Sequence, residues 1–107
     1  EVSEEATTSA RAILKLKEDF TKVLYEEEGN NSYYHKLLDF LFEKPFIKRH
    51  DVEEMLGVSN PTAGNIIDRF CELGILEDLE PQKLRNKLYA FSTYLDILDE
   101  GTELNNA

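Results

Sequence analysis

The sequence predicts a mainly helical domain of the α+β class, in which a series of helices is followed by a small β-hairpin. Apolar residues recur at intervals of three and four over most of residues 4–73, which is the spacing of a buried stripe on a helix. Two short β-compatible runs follow at residues 75–79 and 88–91, and the segment between them contains Pro81. A chain of 107 residues has room for one hydrophobic core.

The first predicted element is a long amphipathic helix. Residues 4–28 contain neither Gly nor Pro. Their apolar side chains form one stripe, made of Ala6, Ala10, Ile13, Leu16, Phe20 and Leu24. Gly29-Asn30-Asn31 follows, and these residue types adopt the left-handed or turn conformations that end helices. We therefore expect a helix of about six to seven turns.

Two shorter helices are predicted next. Ser32 is a suitable N-cap for a second helix, whose apolar face consists of Tyr34, Leu37, Leu38, Leu41 and Phe42. Pro45 ends this helix, because its ring forces the preceding residue out of the helical conformation. A third helix is expected over residues 51–56 and ends at Gly57. Lys48 stands where a Ser or Thr cap is common, so the start of the third helix is expected to be weakly capped.

The strongest local signal is the turn Gly57-Val58-Ser59 and the helix after it, the recognition helix. Gly57 tolerates a positive φ angle, Val58 can fill the core, and Ser59 can cap the recognition helix. Pro61 fits the first turn of this helix, where its missing N–H is not needed. The predicted buried face consists of Ala63, Ile66, Ile67, Phe70 and Leu73, and the predicted exposed face of Asn60, Gly64, Asn65, Asp68 and Arg69. Gly74 ends the helix.

A hairpin and a last helix complete the predicted fold. Residues 75–79 and 88–91 are its strands, and the segment that leads into the second strand is basic. Residues 94–98 return to helical spacing and predict a short helix packed on the core. Residues 100–107 are expected to form a flexible tail.

This order of elements is that of a winged helix-turn-helix domain, in which the hairpin is the wing. Several segments also resemble the C-terminal domain of Fic (filamentation induced by cAMP) proteins. They read LFEKPFI at residues 41–47, LGVSNPTA at 56–63, LGIL at 73–76, and RNKLYAF followed by YLDIL within 85–98. The long first helix is similar to the segment that joins the catalytic Fic core to this domain. The resemblance covers residues 6–98.

The resemblance implies an active site outside this chain. Fic proteins transfer AMP from ATP to a protein hydroxyl through a loop of the form H-x-F-x-D/E-G-N-G-R. Neither His35 nor His50 has a Phe two residues later, and no Gly-Asn-Gly occurs. The nearest counterpart of the family's inhibitory motif runs from Asp96 to Glu100 and Gly101, and it lacks the first Ser or Thr. We therefore expect no catalytic residue and no cofactor here, with ATP and Mg²⁺ bound by the catalytic core of a parent protein.

The resemblance also divides the chain into three parts. Residues 1–29 are expected to be a linker helix that continues from an upstream catalytic core. Residues 30–99 are expected to form the winged helix-turn-helix domain, and residues 100–107 the tail. On this interpretation the chain is a non-catalytic module of a nucleotidyltransferase.

Duplex DNA binding is one function that this fold allows. Asn60 and Asn65 could pair with adenine edges, while Thr62 and the start of the recognition helix could hold a phosphate. The cations that could follow the DNA backbone are Arg69, Lys83, Arg85 and Lys87. With Ser59 added, these residues are the candidates for contact with DNA or with another partner. Gly64 would allow close approach of DNA or a partner, or packing against the wing.

Protein binding is the alternative function. The net charge of −10 repels phosphate backbones, and the recognition helix lacks the usual exposed run of Arg and Lys. The apolar stripe of the first helix is longer than a small domain can cover, which makes Ala10, Ile13 and Leu14 candidates for self-association or for contact with a Fic core. The partners expected on this interpretation are the parent's own Fic core, a second protomer or the protein to be modified.

Other classes of function find little support in the sequence. His35 and His50 have no Cys or further His at ligand spacing, so no metal site is predicted. No apolar run approaches the ~20 residues of a membrane span. The lone Cys71 lies in an apolar helical pattern, which predicts a buried thiol, a reducing compartment and a cytoplasmic protein.

Overall fold

The computed structural model describes the backbone of residues 2–106 and the side chains of residues 10–99. Within this range the chain forms five helices and one antiparallel sheet. The elements are α1 Val2–Glu28, α2 Ser32–Glu43, β1 Phe46–Ile47, α3 Arg49–Leu56, α4 Asn60–Glu72, β2 Glu77–Asp78, β3 Tyr89–Ala90 and α5 Ser92–Asn106. The predicted mainly helical α+β fold is confirmed.

Helix α1 belongs to the same core as the rest of the chain. It packs against α2 and α5. Leu16 and Leu24 are buried, and the ring of Phe20 lies 6.0 Å from that of Phe91. The second half of α1 is therefore part of the folded unit, in addition to any linking role.

Helix α2 begins one residue away from the predicted cap. Asn31, rather than Ser32, is the N-cap, because its side-chain oxygen accepts a hydrogen bond from the N–H of Tyr33 at 3.0 Å. Asn and Ser are equally good N-caps, so residue type alone does not decide which of two adjacent residues, Asn31 or Ser32, caps the helix. The helix ends at Lys44, directly before Pro45 as predicted.

Helix α3 starts at Arg49, two residues before the predicted start. Lys48 is its N-cap and makes no side-chain capping bond, as its residue type predicts. Asp51, in the first turn of the helix, compensates for the missing side-chain cap, because its carboxylate accepts a hydrogen bond from the N–H of Lys48 at 2.9 Å. Gly57 ends α3 with a φ of +67°, a left-handed conformation that favours glycine.

Helix α4 is the predicted recognition helix, with one correction. Ser59 caps this helix. Leu73 of the predicted inner face is half-buried, and the other four side chains of that face are buried: Ala63, Ile66, Ile67 and Phe70. Gly64, however, is buried and not exposed. The side chain of Arg49 covers it, a contact between two helices that sequence periodicity does not reveal.

The predicted hairpin is confirmed, although its strands are only two residues long. β3 lies in the middle of the sheet, between β2 and β1. Asp78 and Ile47 both oppose Tyr89 from the two sides. The apolar pair that forms β1 was not expected to be a strand, because two residues are too few for a period-two signal.

Helix α5 closes the core with an aromatic cluster. The ring of Phe91 lies 5.0 Å from Phe42 and 5.6 Å from Tyr94, so the start of α5 is fixed against α2. Its backbone continues to Asn106. The flexible tail expected for residues 100–107 lies outside the residues whose side chains are described, and it stays a prediction.

Candidate functional site

A polar cleft of about 640 Å³ lies between α3, α4 and the hairpin. The loop that joins β2 to β3 lies beside the N-terminal ends of both helices and forms one side of the cleft. Its lining residues are Lys48, Arg49, His50, Glu53, Asn60, Asp68, Leu84, Arg85, Asn86, Lys87 and Tyr89. Three separate segments of the chain therefore contribute to one surface.

Arg49 lines this cleft and contacts α4 at two positions. Its guanidinium lies over the backbone of Gly64, so close that a Cβ atom at Gly64 would be 2.8 Å from it. One of its nitrogens donates a hydrogen bond to the side-chain oxygen of Asn60 at 3.0 Å. The absence of a side chain at Gly64 is thus what allows Arg49 to lie flat on α4.

Asn60 has both ends of its side-chain amide occupied within the protein. Its oxygen accepts from Arg49, and its nitrogen donates to the carboxylate of Glu53. Bidentate pairing with an adenine edge requires the same oxygen and nitrogen. Asn60 would therefore have to leave both partners in order to read a base.

Ser59 and Thr62 cap the recognition helix. The Ser59 hydroxyl accepts a hydrogen bond from the N–H of Thr62 at 3.4 Å, and it donates to the Thr62 hydroxyl at 3.1 Å. Pro61 has no N–H, so few donors at this helix end remain for a phosphate. Asn65 is exposed and forms no hydrogen bond with the described residues.

Arg69 lies apart from the cleft and holds α4 to α1. Its guanidinium binds Glu27 and Glu28 at the end of α1 and also Glu72 on its own helix. The hydrogen bonds that the guanidinium donates to these carboxylates, above all to Glu28, raise the pKa of Arg69 above its already high value. An arginine neutralised by three carboxylates is poorly suited to bind a phosphate backbone, which corrects the exposed position expected for it.

Two of the three predicted wing cations are paired. Lys87 binds Asp78 across the hairpin at 2.8 Å, which lowers the pKa of Asp78. Lys83 binds Glu80 at 3.3 Å. Arg85 is exposed and makes no ion pair with any described residue. The wing therefore offers one available charge where the sequence suggested three.

The cations on the other side of the cleft were missed by sequence reasoning. Lys48, Arg49 and His50 are consecutive at the N-terminal end of α3 and are exposed. Positive side chains are unfavourable at this end of a helix, because the backbone N–H groups carry partial positive charge there. A run of three basic residues at a helix start was the signal that could have identified them.

The outer face of α1 forms a second, more apolar surface. Leu14 is 62% exposed and Tyr25 is 53% exposed, and both line an open groove of about 530 Å³. Of the other residues proposed for self-association, Ala10 is exposed and Ile13 is half-buried. Leu14 is therefore the large apolar side chain of that predicted set that is exposed.

The two histidines and the cysteine lie apart from the cleft or at its edge and contact ordinary neighbours. His35 contacts the ring of Tyr25, and His50 lies 3.1 Å from Glu54. Burial raises the pKa of the half-buried Cys71 thiol to about 11. Among the described residues, no group of His, Cys, Asp and Glu could hold a metal ion, and no helix has the length and hydropathy to cross a membrane.

Helices α3 and α4, the Gly57 turn and the adjoining hairpin define a winged helix-turn-helix domain. Residues 16–94 match the family model of the C-terminal domain of SoFic-like protein adenylyltransferases, which confirms the resemblance to Fic proteins. The match covers about three quarters of the sequence, and the chain belongs to this family. No curated protein matches the chain.

Proposed function

We propose that this domain is a non-catalytic interaction module of a Fic-family protein adenylyltransferase. The outer face of α1 carries the proposal, because the exposed side chains of Leu14 and Tyr25 line an open groove along this helix. Such a face gains free energy when another protein covers it. Its occupant is the Fic core, a second protomer or the protein to be modified.

AMP transfer is a property that we assign to a catalytic core outside this chain. The sequence contains no counterpart of the Fic loop, which supports our assignment of ATP and Mg²⁺ to that core. What this domain contributes is the position of a partner relative to that core. A cytoplasmic location agrees with this role.

The test is a substitution on the outer face of α1. In the isolated domain, where a Fic core is absent, we expect the exposed face to cause self-association. Leu14→Glu should convert the dimer to a monomer in multi-angle light scattering, because a charge would replace a contact-forming apolar side chain. Ile13 is a poorer choice, since it is half-buried and its replacement would also weaken folding.

Thr93→Glu is the matched control for this experiment. Thr93 is exposed on α5 and does not line the groove, and the substitution adds the same charge. It should leave the dimer intact. A Leu14→Glu variant that leaves both the mass of the domain and its attachment to the Fic core unchanged would count against the proposal.

Sequence-specific DNA binding with a role in transcription is the second candidate function. Thr62, Asn65 and Arg85 are exposed on α4 and the hairpin, where a helix-turn-helix domain contacts DNA. We place it second because Asn60 and Arg69 are engaged within the protein. Titration with duplex DNA at several salt concentrations tests it, and DNA binding requires an affinity that falls linearly with salt on logarithmic scales.

A further inference from the structure

We propose that the cleft between α3, α4 and the hairpin binds a short acidic segment of a partner protein. The inference rests on the proposed interaction function and assigns a second surface to it, separate from the outer face of α1. The ligand is a peptide whose carboxylates pair with Arg49 and Arg85 and which carries an apolar side chain beside them.

Charge is the first argument. The cleft is lined by four Lys and Arg residues against two acidic ones, Glu53 and Asp68, in a chain whose net charge is −10. Lys48, Arg49 and Arg85 make no ion pair with any described residue, whereas Arg69, Lys83 and Lys87 are all paired. The unpaired positive side chains of α3, α4 and the hairpin, with the residue before α3, are therefore concentrated in one cleft.

Preorganisation is the second argument. Arg49 rests on Gly64 and is held by Asn60, which is itself held by Glu53. A glycine inside a helix is unfavourable relative to alanine, and here it leaves the space that the guanidinium occupies. Holding one guanidinium in place before a ligand arrives reduces the entropy that binding must overcome.

Shape and polarity favour a peptide over duplex DNA. The volume of about 640 Å³ is that of a cleft for a small ligand or a short chain segment. Leu84 is 97% exposed at the edge of this cleft, and an apolar side chain of a peptide can cover it. The one amide of the recognition helix that lines the cleft, that of Asn60, is engaged with Arg49 and Glu53.

A partner protein is the source of the segment. The chain's own acidic residues after the hairpin, such as Asp96 and Asp99, lie on α5, which packs on α1. No described residue of α1 or α5 lines the cleft. The described acidic residues of α1 and α5 therefore do not supply the segment, and we assign it to another molecule.

The experiment measures fluorescence anisotropy of a labelled peptide, Glu-Asp-Leu-Asp-Glu with blocked ends, against its neutral counterpart, Gln-Asn-Leu-Asn-Gln. The acidic peptide should bind at least tenfold more tightly, and added salt should weaken it. Arg49→Gln and Arg85→Gln should each reduce its affinity about five- to tenfold. Lys36→Gln removes an exposed charge on α2 outside the cleft and should have no effect.

A loss of peptide binding in these variants can be distinguished from a loss of folding. Arg85 is exposed and has no described ion-pair partner, so its substitution leaves the fold intact, and a thermal melt verifies the Arg49 variant. Equal binding of the two peptides, equal effects of the Arg85 and Lys36 variants, or tighter binding of duplex DNA than of the acidic peptide would each overturn the proposal. The light-scattering result for Leu14→Glu is independent, so the two functions can fail separately.

Discussion

At the scale of single residues, Gly64 and Arg49 show how a recognition helix is adapted to its neighbour. In most helices a buried glycine indicates that another backbone approaches closely. Here the approaching group is a guanidinium, which lies only 2.8 Å from where the Cβ atom of another residue would be. Glycine at this position therefore favours the geometry of the cleft at a cost in intrinsic helix stability.

Gly64→Ala is expected to stabilise the domain while it displaces Arg49. Arg49 is exposed and is held on α4 by a single described hydrogen bond, to Asn60, so an added methyl group at Gly64 can displace it while α4 gains helix propensity. We expect the midpoint of thermal unfolding to rise by about 2 to 5 °C. Binding of the acidic peptide should weaken in the same variant.

Gly57→Ala is the comparison for that measurement. Gly57 has a φ of +67° and no atom near its missing Cβ, so alanine there meets strain without a clash. It should lower the unfolding midpoint by several degrees. Similar destabilisation by both substitutions would show that Arg49 cannot move and that the interpretation of Gly64 is wrong.

At the scale of elements, the wing is held by carboxylates more than by its sheet. Its strands are two residues long. Asp78 binds Lys87 and accepts the N–H of Glu80, while Glu80 accepts the N–H of Leu88 at 2.8 Å. These bonds connect the two limbs of the loop beyond the end of the ladder.

Acid is therefore expected to loosen the wing before the core. The bond from Lys87 lowers the pKa of Asp78 below 3.8, and the Leu88 N–H lowers that of Glu80 below 4.5. A carboxylate whose pKa is lowered by folding stabilises the folded state when the pH is above its pKa in the unfolded chain. This stabilisation is lost as the pH falls through the lower pKa of the folded state. The protection factor of the Leu88 amide, measured by hydrogen exchange and NMR, should fall below about pH 4 more than that of the buried Ile67. An equal loss of protection at both amides would contradict this.

The limits of sequence reasoning are also visible at this scale. Helix α4 was predicted well because its cap, its proline and its apolar stripe are all local signals. Strand β1 was missed because its pairing with β3 is set by tertiary structure. Arg49 could not be placed on Gly64 for the same reason, and the pairing of Arg69 with α1 joins residues far apart in the chain.

At the scale of the whole molecule, Arg69 links the long helix to the recognition helix. The end of α1 carries three consecutive glutamates, an unfavourable charge at a helix C-terminus. Arg69 partly offsets this negative charge, because it forms ion pairs with two of the three glutamates, Glu27 and Glu28. The orientation of α1 on the domain therefore depends on one cation as well as on the apolar contacts of Leu16 and Leu24.

Arg69→Met is expected to loosen this attachment. The variant keeps the apolar stem but leaves the glutamates of α1 without their partner, so we expect the unfolding midpoint to fall by a few degrees. Added salt should reduce the difference, because it screens the glutamates from one another. Arg85→Met is the control, since Arg85 has no described ion pair, and it should melt like the original chain. If the two variants melt alike, Arg69 has no such role.

The unbroken course of α1 into the core has a geometric consequence. Each residue of an α-helix turns the chain by about 100° and advances it by about 1.5 Å. Because the second half of α1 is clamped by α2 and α5, a reporter domain fused to its first half would be held at a defined angle and height. Inserting a single alanine ahead of Ala10 would swing that reporter to a different side of the domain, whereas a flexible joint would absorb the insertion without any change in direction.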